Sequence, residues 1–523
     1  MRNEAKICTL YKDATFRFTV LMAIIIGLLV HFPVYSQRLT TADGVWNNVI
    51  HSGIDWEISL GRWGFALLKT LRFDIVLYSY SAFIGLGCLA IAAGILVKLF
   101  DVRKPVFVIL LVVCFMCFPS IGALLPLWFC SGDYFGAYLC TVLSVWIVTK
   151  HNNKIGILLS VCLFAFSLGV YQAYFSVAAS ICLFLLIKMI LFDDLEIKDV
   201  IKRAFKYLLF GISGTITYIF VMKITQFCFK VPPASYAGID KIGRWELSDI
   251  FLSIKNAYSK FFEFYFFDGI FNNSYWKSGY VYLIIFFLFI FLISSIIVRR
   301  KIYAKVSHLL LLILFVVLMP LVVCSLEVIS PERGIYCLTS ESYVVPIVFT
   351  IALLELYTRN ITLSVFKKIG VLAVAYLGYT YILFTNTGYL QMELNYNKTF
   401  SMAIRIINRI EQDDSYTPEA KVLIIGNRMD GNNSSSNYPQ IENSLGKDNI
   451  ATWGVLWPDF GGNQATWYHF MSYYCGWKFQ VCTEEEYLDI INTEEYKTMK
   501  QFPQKDSIKK INDIYVVKIS NLR

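Results

Sequence analysis

Long apolar segments recur along the chain and alternate with polar connections, and this pattern constrains the fold more than any other feature. Each segment is close to the length that crosses about 30 Å of hydrocarbon as a helix, and windows of about 19 residues place eleven of them at 18–35, 75–99, 106–125, 134–148, 155–170, 174–192, 207–222, 280–298, 309–326, 343–357 and 369–384. Backbone groups inside a bilayer have no water to bind, so spans of this length form helices. The sequence therefore predicts a mainly α, polytopic membrane bundle of about eleven transmembrane helices.

Basic residues flank one set of connections and predict the orientation of the bundle. They are Lys98, Arg103, Lys104, Lys150, Lys154, Lys198, Lys202, Arg203, Lys206, Arg299, Arg300, Lys301, Lys305, Arg359, Lys367 and Lys368. Basic loops stay on the cytoplasmic side, so the N-terminus is predicted inside and an odd number of spans places the C-terminus outside. The net charge of +9 is explained by these anchors facing anionic lipid and requires no nucleic-acid partner.

The chain divides into two predicted domains. Residues 1–386 form the transmembrane bundle, whose extracytoplasmic loops are 36–74, 119–133, 223–279 and 327–342. Residues 387–523 are more polar, and the segments KVLIIGN and IYVVKIS have the pattern of buried strands. We expect a small extracytoplasmic α/β domain there, in which an oxidising compartment would allow Cys475 and Cys482 to form a bridge. No GxGxxG or GxxxxGK[ST] motif follows Gly426, so a nucleotide site is not expected.

The aromatic segment SDIFLSIKNAYSKFFEFYFFDGIF occupies the third of these loops. Its aromatic residues recur at helical spacing, which favours a helix lying in the membrane interface. The alternative is a buried loop helix. An interfacial helix would border a groove for a lipid chain.

Charged and aromatic residues gather in the loops of the predicted outer face. Transfer of a sugar from a lipid phosphate needs a carboxylate that accepts a proton from the acceptor hydroxyl, together with cations that hold the departing phosphate. Arginine binds phosphate in a forked geometry that lysine lacks. The candidates are Asp43 and Asp133 as catalytic carboxylates, and Glu57, Arg62, Trp63, Tyr171, Gln172, Arg333 and Tyr336 as substrate-binding residues. Each of these residues taken alone is as readily explained by capping, a surface ion pair or, for Tyr171 and Gln172, a turn that satisfies its own backbone.

Several motifs resemble those of the bacterial serotype-converting Gtr glucosyltransferases of type II. They are ADGVWNN, GRWG, PLWFCSGDYFGAYL, SLGVYQAYFSVAAS and QMELNYNKTFSMAIRIINRI, and the resemblance extends over essentially the whole chain. The first-loop acidic position of the family corresponds to Asp43, its Gly-Arg turn to Gly61 and Arg62, its second-loop aspartate to Asp133, and its Tyr-Gln pair to Tyr171 and Gln172. Family members often have two adjacent aspartates where this chain has Ala42 and Asp43. If the missing aspartate were the base, Asp133 would take that role.

The resemblance implies a membrane glycosyltransferase of the GT-C type in the bacterial inner membrane. Such an enzyme moves glucose from undecaprenyl-phosphate glucose to a surface polysaccharide such as O-antigen, inverts the anomeric configuration, and depends on a lipid-sugar synthase and a flippase for its donor. No cofactor is required, although Asp43 and Asp133 could share Mg²⁺ or Mn²⁺. Two other functions remain open: a polysaccharide polymerase or ligase, and a non-enzymatic lipid-sugar flippase, which should carry charged residues within its spans.

Overall fold

The computed structural model describes residues 7–51, 53–234, 247–266, 278–329, 337–358, 365–426 and 460–520. In the first part of the chain the helices are α1 (Ala14–Val30), α2 (Phe32–Ser36), α3 (Ala42–Trp46), α4 (Asp55–Ser59), α5 (Trp63–Leu71), α6 (Tyr78–Phe100), α7 (Pro105–Met116), α8 (Pro119–Leu124), α9 (Ser131–Lys150), α10 (Lys154–Val170), α11 (Tyr174–Phe192) and α12 (Ile197–Phe229). The later helices are α13 (Leu247–Phe266), α14 (Ser278–Arg299), α15 (Val306–Val323), α16 (Ser325–Ile329), α17 (Val344–Thr358), α18 (Val365–Glu411), α19 (Phe460–Tyr474), α20 (Glu484–Ile491) and α21 (Glu494–Thr498). The strands are β1 (Lys421–Ile425), β2 (Gln480–Val481), β3 (Ile508–Ile511) and β4 (Ile514–Lys518).

Apolar helices coincide with all eleven predicted spans. Eight helices of the described residues are long and apolar enough to cross a membrane, and three shorter apolar helices, α1, α7 and α10, account for the remaining spans. The prediction of a mainly α, polytopic membrane protein is confirmed. A large shared core joins these helices, with α6 packed between α1 and α9, and α10 packed between α9 and α12.

The two ends of the bundle differ in their contacts. At one end, basic residues pair with nearby carboxylates, as in Lys98 with Asp13 (2.7 Å) and Arg300 with Asp194 (2.9 Å). At the other end, which we call the loop end, the connections bind each other: Trp128 Nε1 donates a hydrogen bond to the Leu39 carbonyl at 2.7 Å. The connections at the loop end are therefore packed against one another.

Helix α18 is 47 residues long and runs without a break through residue 387. The last predicted span and the first helix of the predicted outer domain are thus one helix. Its far end leads into a four-stranded sheet of order β2-β1-β4-β3, in which β1 pairs with β2 and β4 in parallel and β3 pairs with β4 antiparallel. The two strands predicted from sequence, β1 and β4, are the central pair. The small C-terminal α/β region is confirmed, and Cys475 and Cys482 have free thiols within it.

Helix α13 lies against α14, α15 and α16. Phe261 and Phe264 are buried on one face, whereas Phe251 and Leu252 are exposed on the other. The helix predicted in this loop therefore has one face in the protein interior and one apolar face directed outward.

Candidate active site

The first loop folds into the three short helices α3, α4 and α5, which cover the loop end. An antiparallel bridge between Ile50 and Ile75 closes the base of the loop. The hydroxyl of Thr40 donates to the Pro126 carbonyl at 2.6 Å. The first loop is therefore fixed to the connection that precedes α9, and its side chains have defined positions.

Asp43 lies in the first turn of α3 and is half-buried. Among the described residues no hydrogen-bond donor or cation is paired with its carboxylate. Burial raises the pKa of Asp43 above its ordinary value of 3.8, because the charged form is less well solvated there. A carboxylate with a raised pKa and no partner has the basicity that a general base requires.

Asp133 forms a buried ion pair with Arg72. The Arg72 guanidinium nitrogen Nη2 lies 2.6 Å from Asp133 Oδ2 and also donates to the Phe129 carbonyl at 3.0 Å. Both side chains are at least nine-tenths buried. Asp133 Oδ1 has no partner among the described residues. One carboxylate oxygen is thus held by arginine, while the other is buried and has no hydrogen-bond partner among the described residues.

Cys130, which immediately precedes α9, lies within electrostatic range of several of these charged groups. Burial raises the pKa of its thiol well above the ordinary value, and the charges of Asp133, Arg62, Asp43 and Arg72 all act on the same thiol. Burial alone shifts the pKa of Asp43, and the predicted catalytic and binding roles of Asp43, Asp133 and Arg62 stay predictions. Arg72 was not predicted, although it lies in the same first loop. Its role becomes visible only through its contact with Asp133.

Arg62 is bound to two stacked tyrosines. Its Nη1 donates to the Tyr134 hydroxyl at 3.1 Å, and its guanidinium lies 5.4 Å from the centre of the Tyr171 ring. The Tyr134 and Tyr171 rings are stacked at 4.5 Å with an interplanar angle of 19°. The Tyr171 hydroxyl donates to the Leu338 carbonyl at 2.9 Å. This chain of contacts joins the first loop, α9, the end of α10 and the connection before α17.

The GRWG and SLGVY motifs pack directly on each other. Gly61 has a φ of +73°, which favours glycine. The Trp63 ring then lies on the backbone of Gly169, and Gly64 meets Gly169 and Val170. The two motifs are therefore complementary surfaces, and Trp63 holds the Arg62 turn on the end of α10.

We expect Gly169→Ala to lower the thermal unfolding midpoint of the purified protein. A Cβ at this position would lie 2.4 Å from Trp63 Cε2, and overpacking of this kind costs about 1–3 kcal/mol. The matched control is Gly211→Ala on α12, where a Cβ meets nothing within 4 Å and alanine gains about 1 kcal/mol of helix propensity. Similar midpoints for the two variants would contradict the packing of Trp63 on Gly169.

Gln172 connects the turn after α10 to the first loop. Its amide nitrogen donates to the Leu60 carbonyl at 2.7 Å and to the Tyr218 hydroxyl at 3.1 Å. These bonds occupy the donors that would otherwise reach a sugar hydroxyl. The contacts therefore support a positioning role for Gln172. This role is close to the alternative prediction, in which the turn forms its hydrogen bonds with the protein and not with the substrate.

Glu57 is the centre of a second buried network. Its Oε1 lies 2.5 Å from His51 Nε2 and 3.1 Å from Lys69 Nζ. Burial on its own would raise the pKa of Glu57, but the hydrogen bond from His51 and the charge of Lys69 outweigh it, so the pKa is lower than its ordinary value of 4.5. The His51 ring stacks on Phe129 at 4.9 Å. Because Phe129 also accepts a hydrogen bond from Arg72, this network adjoins the Arg72–Asp133 pair.

Comparison with known proteins identifies the family to which the chain belongs. A model of the family described as Glucosyl transferase GtrII matches residues 47–351, which is more than half of the 523 residues. The chain belongs to the GtrII glucosyl transferase family. No curated protein and no solved structure matches the chain significantly. The protein is therefore a glycosyltransferase with a bundle of membrane helices.

The GtrII match covers most of the predicted site. Glu57, Arg62, Trp63, Asp133, Tyr171, Gln172, Arg333 and Tyr336 lie inside the matched segment. Asp43 and the C-terminal α/β region lie outside it. Arg333 and Tyr336 are outside the described residues, so their predicted roles stay predictions.

One buried carboxylate inside the GtrII match was not predicted. Glu341 lies in a single 3-10 turn just before α17, is 3% exposed, and has no partner for either carboxylate oxygen among the described residues. It follows Leu338, whose carbonyl accepts the hydrogen bond from Tyr171, by three residues. The sequence carried no signal for it because a single glutamate at a helix start is ordinary. The described residues contain no group of three or more residues suited to hold a metal ion.

Proposed function

We propose that this GtrII protein transfers a hexose, most simply glucose, from a polyprenyl-phosphate carrier to a surface polysaccharide such as O-antigen. The transfer takes place on the outer face of the bacterial inner membrane and inverts the anomeric configuration. The observation that carries the proposal is the half-buried carboxylate of Asp43, which has no partner among the described residues and lies in a first loop that also carries Arg62 and Arg72.

The proposed reaction uses the residues of the loop end directly. Asp43 accepts the proton of the acceptor hydroxyl, and the hydroxyl oxygen forms a bond to the anomeric carbon. The bond from that carbon to the phosphate oxygen breaks, and the electron pair leaves with the polyprenyl phosphate. Arg62 and Arg333 stabilise the phosphate charge as it develops, and Asp133, oriented by Arg72, binds sugar hydroxyls through its free oxygen. No nucleotide or covalent enzyme intermediate takes part in this scheme.

An apolar groove supports the lipid-linked donor. It lies between α13, α14, α15 and α17 and is lined by residues that include Phe261, Tyr265, Tyr282, Phe286 and Met319. Helix α13 borders this groove, which is small, with a free volume of about 40 Å³. We propose that its hydrocarbon and aromatic lining contacts part of the polyprenyl chain of the donor.

The positions of charged residues in the described helices argue against transport. Glu355, near the end of α17, accepts hydrogen bonds from the backbone nitrogens of Arg103 and Lys104, and Lys188 on α11 donates to the Leu99 carbonyl. These charged groups form hydrogen bonds with backbone atoms at the end of the bundle that carries the basic connections. A lipid-sugar path through the bundle would instead need polar groups along its length.

Reconstituted transfer tests the proposed donor. We expect the purified protein in lipid nanodiscs to transfer glucose from synthetic polyprenyl-phosphate glucose to delipidated polysaccharide, with NMR showing an inverted anomeric centre. Use of polyprenyl-diphosphate oligosaccharide instead would identify a polymerase or ligase. Movement of the lipid-linked sugar across vesicles without transfer would identify a flippase.

The proposed orientation gives a separate test. A periplasm-active phosphatase fused after Arg523 should be active, because eleven spans place the C-terminus opposite the basic connections. The same reporter inserted after Lys104, in a basic connection, is the control and should be inactive. Activity of a cytoplasm-only reporter at the C-terminus would contradict both the orientation and the outer-face site.

A further inference from the structure

Helix α19 of the C-terminal α/β region packs on α3, the helix that carries Asp43. The Trp46 ring of α3 lies 6.4 Å from the His469 ring of α19, with an interplanar angle of 30°. Tyr473, one helical turn beyond His469, contacts Tyr78 at the start of α6. The C-terminal region is therefore joined to α3 and to the start of α6 through aromatic side chains.

These aromatic rings remain accessible although they lie at an internal junction. Trp46 is 41% exposed and Tyr473 is 40% exposed. Burial lowers the pKa of His469, so its ring is neutral at neutral pH. The junction thus presents a neutral aromatic surface, which we call the aromatic platform and define as Trp46, His469 and Tyr473.

The platform is adjacent to the proposed base. Asp43 and Trp46 are three residues apart on α3, a spacing that places side chains on one face of a helix about 5–6 Å apart at their Cβ atoms. A pyranose stacked on the Trp46 ring would present its rim hydroxyls to the Asp43 carboxylate. Sugar rings suit such a surface because their C–H faces meet the electron-rich faces of aromatic rings.

Inverting transfer separates the two substrates, because the acceptor oxygen must approach the anomeric carbon from the side opposite the departing phosphate. Arg62, the proposed phosphate ligand, contacts Tyr134 on α9 and Tyr171 at the end of α10. The platform is formed instead where α3 meets α19. Different elements of the fold therefore carry the proposed phosphate ligand and the platform.

We propose that the aromatic platform of Trp46, His469 and Tyr473 binds the acceptor polysaccharide, and that the C-terminal α/β region serves as its acceptor-binding module. This inference rests on the proposed transfer reaction, because it assigns the acceptor side of the same site. The occupant is a neutral glycan segment that stacks on the rings and places one hydroxyl at Asp43.

Steady-state kinetics separate the two substrates. We expect Trp46→Ala to raise the KM for delipidated host polysaccharide by about 5- to 10-fold, the ratio that corresponds to the loss of one aromatic stacking contact. The KM for polyprenyl-phosphate glucose should stay within twofold of wild type. Trp46→Phe, which keeps a flat ring, should restore most acceptor affinity, and His469→Ala should resemble Trp46→Ala. The matched control is Trp56→Ala, since Trp56 is also an exposed first-loop tryptophan (56%) but lies on α4.

Equilibrium binding of the same polysaccharide to the full-length protein in nanodiscs, without donor, gives an independent measurement. Asp43→Asn should bind it as wild type does, whereas Trp46→Ala should bind it about 5- to 10-fold more weakly. An unchanged acceptor KM in Trp46→Ala, an equal rise in both KM values, or failure of Trp46→Phe to restore affinity would overturn the platform. If polysaccharide binding depends on Trp46 but no polyprenyl-phosphate sugar is used, the platform stands and the proposed donor is wrong.

Discussion

Replacing Asp43 with asparagine is expected to lower glucosyl transfer by roughly 10²- to 10⁴-fold, which is the contribution of a general base. Asparagine preserves size and polarity but cannot accept the proton of the acceptor hydroxyl. The measurement is the initial rate of transfer from polyprenyl-phosphate glucose by purified protein in nanodiscs. The matched control is Asp55→Asn, since Asp55 is exposed in the same loop and should retain activity.

The stability of Asp43→Asn should not fall with its activity. Burial raises the pKa of Asp43, so the folded protein keeps this proton to a higher pH than the unfolded chain does. The cost of ionising Asp43 therefore appears as the pH rises above the ordinary value of 3.8 and through the folded pKa. Removing the charge relieves that cost at neutral pH, and we expect an unfolding midpoint equal to or above that of wild type.

A parallel Asp133→Asn variant distinguishes the two candidate bases. Near-normal turnover in Asp43→Asn together with an inactive Asp133→Asn would transfer the role of base to Asp133. Ala42, where family members often have a second aspartate, would then mark the position at which this chain departs from the family. We propose Asp43 as the base, because Arg72 already occupies one oxygen of Asp133.

The fold could be predicted from the sequence largely because membrane spans follow from local composition. Backbone groups in hydrocarbon must pair within a helix, so hydropathy alone located the apolar helices. The boundary at residue 387 marks a change of polarity, and polarity reports the membrane surface and not the end of a helix. Helix α18 continues across it, since its sequence contains no proline to interrupt the hydrogen bonds.

The candidate site could be predicted only in part. The residue types and the loops that carry them were visible in the sequence, and the charges of Asp43, Asp133 and Arg62 all reach Cys130. Their partners were not visible: Arg72 and Asp133 are 61 positions apart, and no periodicity relates them. The same holds for Trp63 and Gly169, whose contact depends on how α5 meets α10.

The second large effect is expected from breaking the Arg72–Asp133 pair. In Arg72→Ala, the Asp133 carboxylate, with only 1% of its side chain exposed, loses its cation. Removing one partner of a buried ion pair costs about 3–5 kcal/mol, so the unfolding midpoint and the yield of folded protein should both fall sharply. The matched control is Arg103→Ala, which removes a mostly exposed pair with Asp101 and should cost about 0–1 kcal/mol.

A double variant separates the structural role of this pair from its role in transfer. Arg72→Met combined with Asp133→Leu replaces both charges with apolar side chains of similar size, and such replacement of a buried ion pair is often neutral or stabilising. We expect the double variant to recover most of the unfolding midpoint lost in Arg72→Ala but to remain inactive, because no oxygen remains at position 133 to bind the sugar. Recovery of both stability and transfer would show that the pair only supports the fold, and the contacts to the donor sugar would then have to come from Asp43 and Glu57. An unfolding midpoint of Arg72→Ala equal to wild type would show instead that the two side chains are not paired in the membrane.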